Sequence, residues 1–298
     1  DYQRSRGLGD VYKRQPYYSK KRSQTWALIK QIPKFIKTIY SERKIAEKIS
    51  LEQNADIIIS DNRFGFRSSK TLNIYLTHQL KIKGPLPLMK IVNQINRLFI
   101  KKFDHCWVPD FENSLLSGEL SDSNLEKIFI GPQTRFKKIL EERKNYKYKY
   151  LAIISGPEPQ RSLLEDEIQN CFLKTNEHCA IINGLTNTKE ISAEKITFYP
   201  HLETTAFREL LTKSEFVICR SGYSSIMDLY VLQKKVLFIP TPGQTEQEYL
   251  AKYHIKIHSI YYQKQGRINL EKARFNFIHP KPETKKKLLK VAFDKLGL

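Results

Sequence analysis

Apolar residues recur at helical spacing between residues 23 and 51, where Trp26, Ile29, Ile32, Phe35, Ile36 and Ile39 repeat every three to four positions. The spacing predicts a long helix with a break near Pro33. The pattern then changes to short apolar runs with polar ends. "ADIIISDNRFG" is a strand that stops at Asp61, and "LNIYLTHQL" repeats the design with His78 and Gln79 at its end. A helix over 87–102 follows. "HCWVPD" and "EKIFIGP" are two further strands, each closed by Pro.

A charged stretch, "FKKILEERKNYKYK", interrupts this rhythm and places a domain boundary within 136–148. The alternation then restarts with "YLAIISGPEPQR", a helix, "CAIINGL", "KITFYPHL", a helix, "FVICRSG", a helix, "KVLFIPTPGQ" and a last helical stretch. Short apolar strands alternating with helices predict parallel sheets covered on both faces. The expected fold class is therefore α/β, with two Rossmann-like domains at 16–142 and 143–298. Residues 1–15, "DYQRSRGLGDVYKRQ", carry many charges and little apolar periodicity. They read as a non-native leader and do not enter the fold argument.

Composition narrows the function classes. The 298 residues are 40% hydrophobic, enough for two packed cores. The four cysteines have no CxxC pairing and read as reduced thiols of a cytoplasmic protein. No apolar run reaches the roughly 20 residues that span a bilayer. The formal net charge of +20 admits a solvated lysine-rich surface, a contact with anionic lipid, or nucleic-acid binding. No zinc finger, RNP-like motif or helix-turn-helix accompanies it, so no nucleic-acid partner is expected and a peripheral membrane contact is favoured.

Chemistry concentrates where strands end, the usual ligand position in open α/β sheets. In "CRSGYSSIMDL", small and hydroxylic residues Ser221, Gly222, Ser224 and Ser225 stand where a strand becomes a helix. Free backbone N–H groups and the helix dipole favour an anion there, phosphate above all, with an ordinary capped helix as the plain alternative. Asp228, one turn on, suits a ribose diol or the helix dipole. In "IPTPGQTEQEYLA", Gln244, Thr245, Glu246 and Gln247 crowd a helix start with groups that engage sugar hydroxyls. In "ISGPEPQR", Gly156 makes the turn and Arg161 can reach a diphosphate. Asp61 and His78 are candidate general bases, with loop hydrogen bonding as the alternative. His254 and His258 are four apart, but their segment reads as strand-like and lacks further ligands, so no metal site is expected.

Together, "CRSGYSSIMDL" followed after "KVLFIP" by "TPGQTEQEYLA" resembles the MurG-like group of glycosyltransferases, family 28, with the GT-B fold. "LAIISGPEPQR", "DIIISDNRFGF" and "FDHCWVPDF" extend the resemblance over most of residues 16–260, towards an uncharacterised bacterial branch. The resemblance implies sugar transfer from a UDP-sugar to an acceptor hydroxyl, with inversion and without cofactor or catalytic metal. An N-acetylhexosamine is one candidate sugar. By that likeness Ser221, Gly222, Tyr223, Ser224 and Ser225 hold the diphosphate, and Asp228 takes the ribose, although the group usually has Glu there. Tyr199, His201 and Leu202 border the uracil, and Glu246 and Gln247 meet the sugar. The acceptor is expected to be a lipid-linked or cell-surface glycan, at the inner face of the membrane. Members of the group open with a strand and a Gly- and His-bearing loop. Its absence here leads to the expectation that the first domain is incomplete, and that the chain binds donor yet transfers sugar poorly or not at all. The rival readings are a nucleotide-sugar hydrolase or epimerase on the same fold, and a basic nucleic-acid-binding protein without enzymatic activity.

Overall fold

The computed structural model describes residues 24–84, 89–136, 145–184, 191–193, 195–278 and 288–297. The leader at 1–15 lies outside them. Helix α1 (Gln24–Glu52) runs without interruption through Pro33, so the expected break is absent. Strand β1 (Ile57–Asp61), β2 (Leu72–Leu76), helix α2 (Met89–Ile100), β3 (His105–Val108) and β4 (Ile128–Phe129) follow. The four strands form a parallel sheet in chain order.

The second sheet contains β5 (Tyr148–Ile153), β6 (Cys179–Ile182), β7 (Ile191–Ala193), β8 (Ile196–Tyr199), β9 (Ser214–Cys219) and β10 (Lys235–Phe238). Its order is β10-β9-β5-β6-β8-β7, parallel except for the edge strand β7. Helices α3 (Gln160–Leu173), α4 (Thr204–Thr212), α5 (Tyr223–Leu232) and α6 (Thr245–His258) connect the strands. Successive residues supply opposite faces. Leu151, Val217, Val236 and Phe238 enter one buried cluster, and Ala152, Ile218 and Leu237 enter the other. This two-sided burial explains why the strands read as continuous apolar runs. The strand order reverses between β5 and β9, which places a ligand crevice at their carboxyl ends.

Helix α7 (Leu288–Asp294) follows later in the chain. It packs on the first sheet, with Phe293 edge-on to Trp107 at 5.0 Å. This helix of the expected unit 143–298 thus lies against the other sheet. The stretch bearing His254 and His258 is also helical, as the last turns of α6. Both side chains are buried, and the alternation in "YHIKIH" is what read as a strand. His254 Nε2–H donates to the Leu116 carbonyl at 3.0 Å, across the domain boundary. Beside it, Tyr253 donates to the Ser114 carbonyl, and Tyr249 accepts from the Glu119 N–H. The receiving loop is shaped by buried Asp110, which accepts from the N–H groups of Phe111, Leu116 and Ser117.

Candidate functional site

A cleft of about 1170 Å³ lies between the two domains. On one side are Asp61, Asn62, Arg63, Thr77 and His78, from the ends of β1 and β2. On the other are Ser224, Ser225 and Asp228, from the first turns of α5. Gly222 caps that helix in an extended conformation (φ −75°, ψ 146°), and Ile226 N–H is bonded to its carbonyl. The N–H groups of residues 223–225 precede that bond and lack helical acceptors. Nothing stands within 4 Å of the place where a side chain on Gly222 would begin, so the approach to them is open.

A smaller cavity of about 200 Å³ adjoins the cleft. Ile153, Ile182, His201, Leu202 and Phe207 line it, and Ser225 and Asp228 belong to both cavities. Desolvation raises the Asp228 pKa, while a hydrogen bond from Thr134 and the charge of Arg135 oppose the rise. Arg135 also lines both spaces, with its guanidinium 4.5 Å from the Phe207 ring centre. Thr134 and Arg135 escaped the sequence reading. Their one signal is position, in "GPQTR" directly after β4 and before the domain boundary.

Other candidates have internal tasks. Ser221 is fully buried and its hydroxyl donates to the Gln247 carbonyl at 2.8 Å. The Gln247 side chain in turn accepts the Thr241 N–H at 2.8 Å, fixing the loop before α6. Gln244 is the N-cap residue of that helix. Thr245 donates to the Lys83 carbonyl at 2.8 Å, and Glu246 lies 3.0 Å from His78 Nε2, so both reach the first domain. Tyr223 is buried, stacks on His78 and donates to the Pro109 carbonyl. Its backbone, and not its ring, remains for an anion. Tyr199 turns its hydroxyl to Tyr148 at 2.8 Å. Arg161 is engaged by Glu158, Glu165 and the Asn183 carbonyl. Gly156 (φ +110°) is exposed at the end of β5. In the first domain, desolvation raises the Asp61 pKa, with His78 opposing it. Arg63 is held by Glu42 of α1 at 3.0 Å. Among the described residues no cluster of three metal-ligating side chains occurs.

Residues 161–274 match the glycosyltransferase family 28 C-terminal domain. That match lies within the second half of the chain. A curated relative is UDP-N-acetylglucosamine–N-acetylmuramyl-(pentapeptide) pyrophosphoryl-undecaprenol N-acetylglucosamine transferase of Sulfurihydrogenibium sp. (strain YO3AOP1), 26% identical over 152 residues. That match covers 45% of this chain and 43% of the relative, so the chain spans less than half of the curated protein it matches. Among solved structures, the glycotransferase of kitacinnamycin is 13% identical with a TM-score of 0.54, over 85% of this chain and 74% of its own. CalG4, the calicheamicin glycosyltransferase, is 10% identical at 0.54, over 93% and 78%. SnogD from Streptomyces nogalater is 11% identical at 0.53, over 87% and 73%. These likenesses show the fold: two Rossmann-like domains in the GT-B arrangement.

Proposed function

We propose that this protein transfers a sugar from a UDP-sugar to an acceptor hydroxyl, with inversion and without a catalytic metal. The observation that carries the reading is the convergence at one cleft of an open helix N-terminus, the Asp228 carboxylate and an adjoining apolar pocket. In this reading the N–H groups of residues 223–225 and the hydroxyls of Ser224 and Ser225 hold the diphosphate. Asp228 takes the ribose, and the base enters the pocket beside His201 and Leu202. Arg135 stands where these parts meet and adds charge to the diphosphate. The sugar then extends towards Gln244 and Glu246, with Gln247 holding their loop in place.

The reaction is a single displacement. An acceptor hydroxyl loses its proton to Asp61 or His78 and attacks the anomeric carbon as the bond to the diphosphate oxygen breaks. The leaving UDP carries away the electron pair, stabilised by the helix N-terminus. A raised pKa suits Asp61 to the base role, because it moves the group towards neutral working pH. His78 remains a second candidate, held by Glu246 until a sugar engages that carboxylate.

The curated relative's name points to a lipid-linked acceptor, and the surface agrees with work beside a membrane. Helix α2 exposes Ile91, Ile95 and Leu98 among Lys90, Arg97 and Lys101. Basic residues flanking apolar ones favour an anionic lipid surface. Among the described residues no helix is long and apolar enough to cross a membrane. A thermal-shift screen of nucleotide sugars tests the donor assignment. UDP and UDP-sugars are expected to raise the melting temperature, and equal shifts from all nucleotides would contradict it. Product analysis then separates a glycoside from free sugar or an epimer.

A further inference from the structure

Beneath the candidate anion site lies a charge that the proposed mechanism does not use. Arg220 follows β9 and is 1% exposed. Its guanidinium donates to three backbone carbonyls: Ser155 at 3.4 Å, Gln160 at 2.9 Å and Ile239 at 3.1 Å. These belong to the end of β5, the start of α3 and the segment after β10. One side chain therefore ties together the strand ends that border the crevice. Burial lowers the Arg220 pKa to about 10, which leaves it a cation at neutral pH. Three neutral carbonyls accept from it without cancelling that charge, and the Glu167 carboxylate acts on it only as a smaller influence than burial. Buried charge of this kind is costly and acts strongly on its surroundings.

A second observation points from this charge to a ligand. Thr241, on the loop after β10, is 3% exposed, and its hydroxyl has no hydrogen-bond partner. Buried hydroxyls are nearly always paired. A side-chain carbon on Gly156 would lie 3.7 Å from Thr241 Oγ1 and 4.0 Å from Arg220 Nε. Gly156 is exposed, and its missing side chain leaves a niche above a buried, unpaired hydroxyl and a buried guanidinium edge.

We propose that Arg220 is a positioning residue for the donor diphosphate, fixing the three strand-end loops and lending its charge to an oxyanion seated over Gly156, with Thr241 donating to the same oxyanion. The proposal rests on the donor reading given above. It also gives Gly156 a reason beyond its positive φ, since any side chain would fill the niche.

Calorimetric titration of UDP and of uridine, which lacks the phosphates, tests this in wild type, Arg220→Met, Arg220→Lys and Thr241→Val. Arg220→Met should weaken UDP by about tenfold or more, in line with a lost interaction to a charged group, and leave uridine within about twofold. Arg220→Lys keeps the charge and should recover part of the loss. Thr241→Val removes an unpaired buried hydroxyl, so it should not lower the melting temperature and should weaken UDP about threefold. Equal losses for UDP and uridine in the Arg220 variants would show general disruption and overturn the proposal. If Arg220→Met does not fold, Arg220→Lys and Thr241→Val decide it, and wild-type UDP affinity in both would overturn it. Failure of wild type to bind UDP at all would instead overturn the donor reading.

Discussion

His78 and Tyr223 stack face to face across the domain boundary, with ring centres 3.9 Å apart and planes 9° from parallel. The same imidazole lies 3.0 Å from Glu246. His78 thus sets the distance between the first-domain loops and the first turn of α5. Catalysis depends on holding both reactants in one geometry. His78→Ala is expected to reduce transfer at least tenfold while UDP affinity changes by less than about threefold, because the proposed UDP contacts lie elsewhere. Initial rates and calorimetry on the same variant check this. A parallel loss of both would place His78 in donor binding.

Gly222→Val should separate folding from binding. The backbone conformation at Gly222 accepts any residue, and open space surrounds it. The substitution should cost about 1 kcal/mol through a poorer cap. UDP binding should fall more than tenfold, since the side chain projects into the approach to the helix N-terminus. Thermal melting with and without UDP reads both effects. A full UDP-induced shift in the variant would exclude that approach.

Asp228→Ala should weaken UDP by about tenfold and pyrophosphate by no more than about twofold, because the proposed partner is the ribose. Competition binding with both ligands measures the contrast. Equal losses would make Asp228 a support for its helix and for Thr134.

Much of this was legible from sequence because apolar runs and their polar ends mark parallel strands directly. β1, β2, β3, β5, β6, β8, β9 and β10 all stand where the pattern put them. The short edge strand β7 has too few residues to show a period. The α6 turns bearing His254 and His258 misled because "YHIKIH" alternates apolar and polar residues as a strand does, while its two histidines are buried against the 114–116 loop. Residues lining the cleft were legible where they sit at strand tips. Ser221, Gln247 and Arg161 share those tips but spend their polar groups internally, which only tertiary contacts reveal. Thr134 and Arg135 reach the site from the other end of the domain boundary, and no local motif announces that.

Acid should loosen the domain contact. Burial, with a smaller contribution from His258, depresses the His254 pKa to about 3 from an ordinary 6.5. Between those values the unfolded chain binds a proton that the folded state does not. Stability from this group is therefore complete above about pH 6.5 and falls as pH drops towards 3, by about 2 kcal/mol at pH 5. Urea unfolding at pH 7.5 and pH 5 should show this loss, and His254→Gln should remove it. An unchanged pH dependence in the variant would assign the acid sensitivity to other groups.

Gly65→Ala tests the support of the first-domain wall. An added carbon would lie 2.2 Å from the Ile39 carbonyl oxygen and 2.8 Å from Glu42 Cβ. Backbone must shift, and a loss of about 2 kcal/mol is expected. Because Glu42 also holds Arg63, the cleft should lose shape as well. Unchanged stability in chemical denaturation would mean that α1 does not pack on this loop as described.

The most direct test of the central claim is an amide-resonance titration of isotope-labelled protein with UDP. The account predicts saturable shifts concentrated at Gly222, Tyr223, Ser224, Ser225 and Asp228, spreading to Arg135, His201 and Leu202. Shifts confined to other surfaces, or none at millimolar UDP, would contradict it.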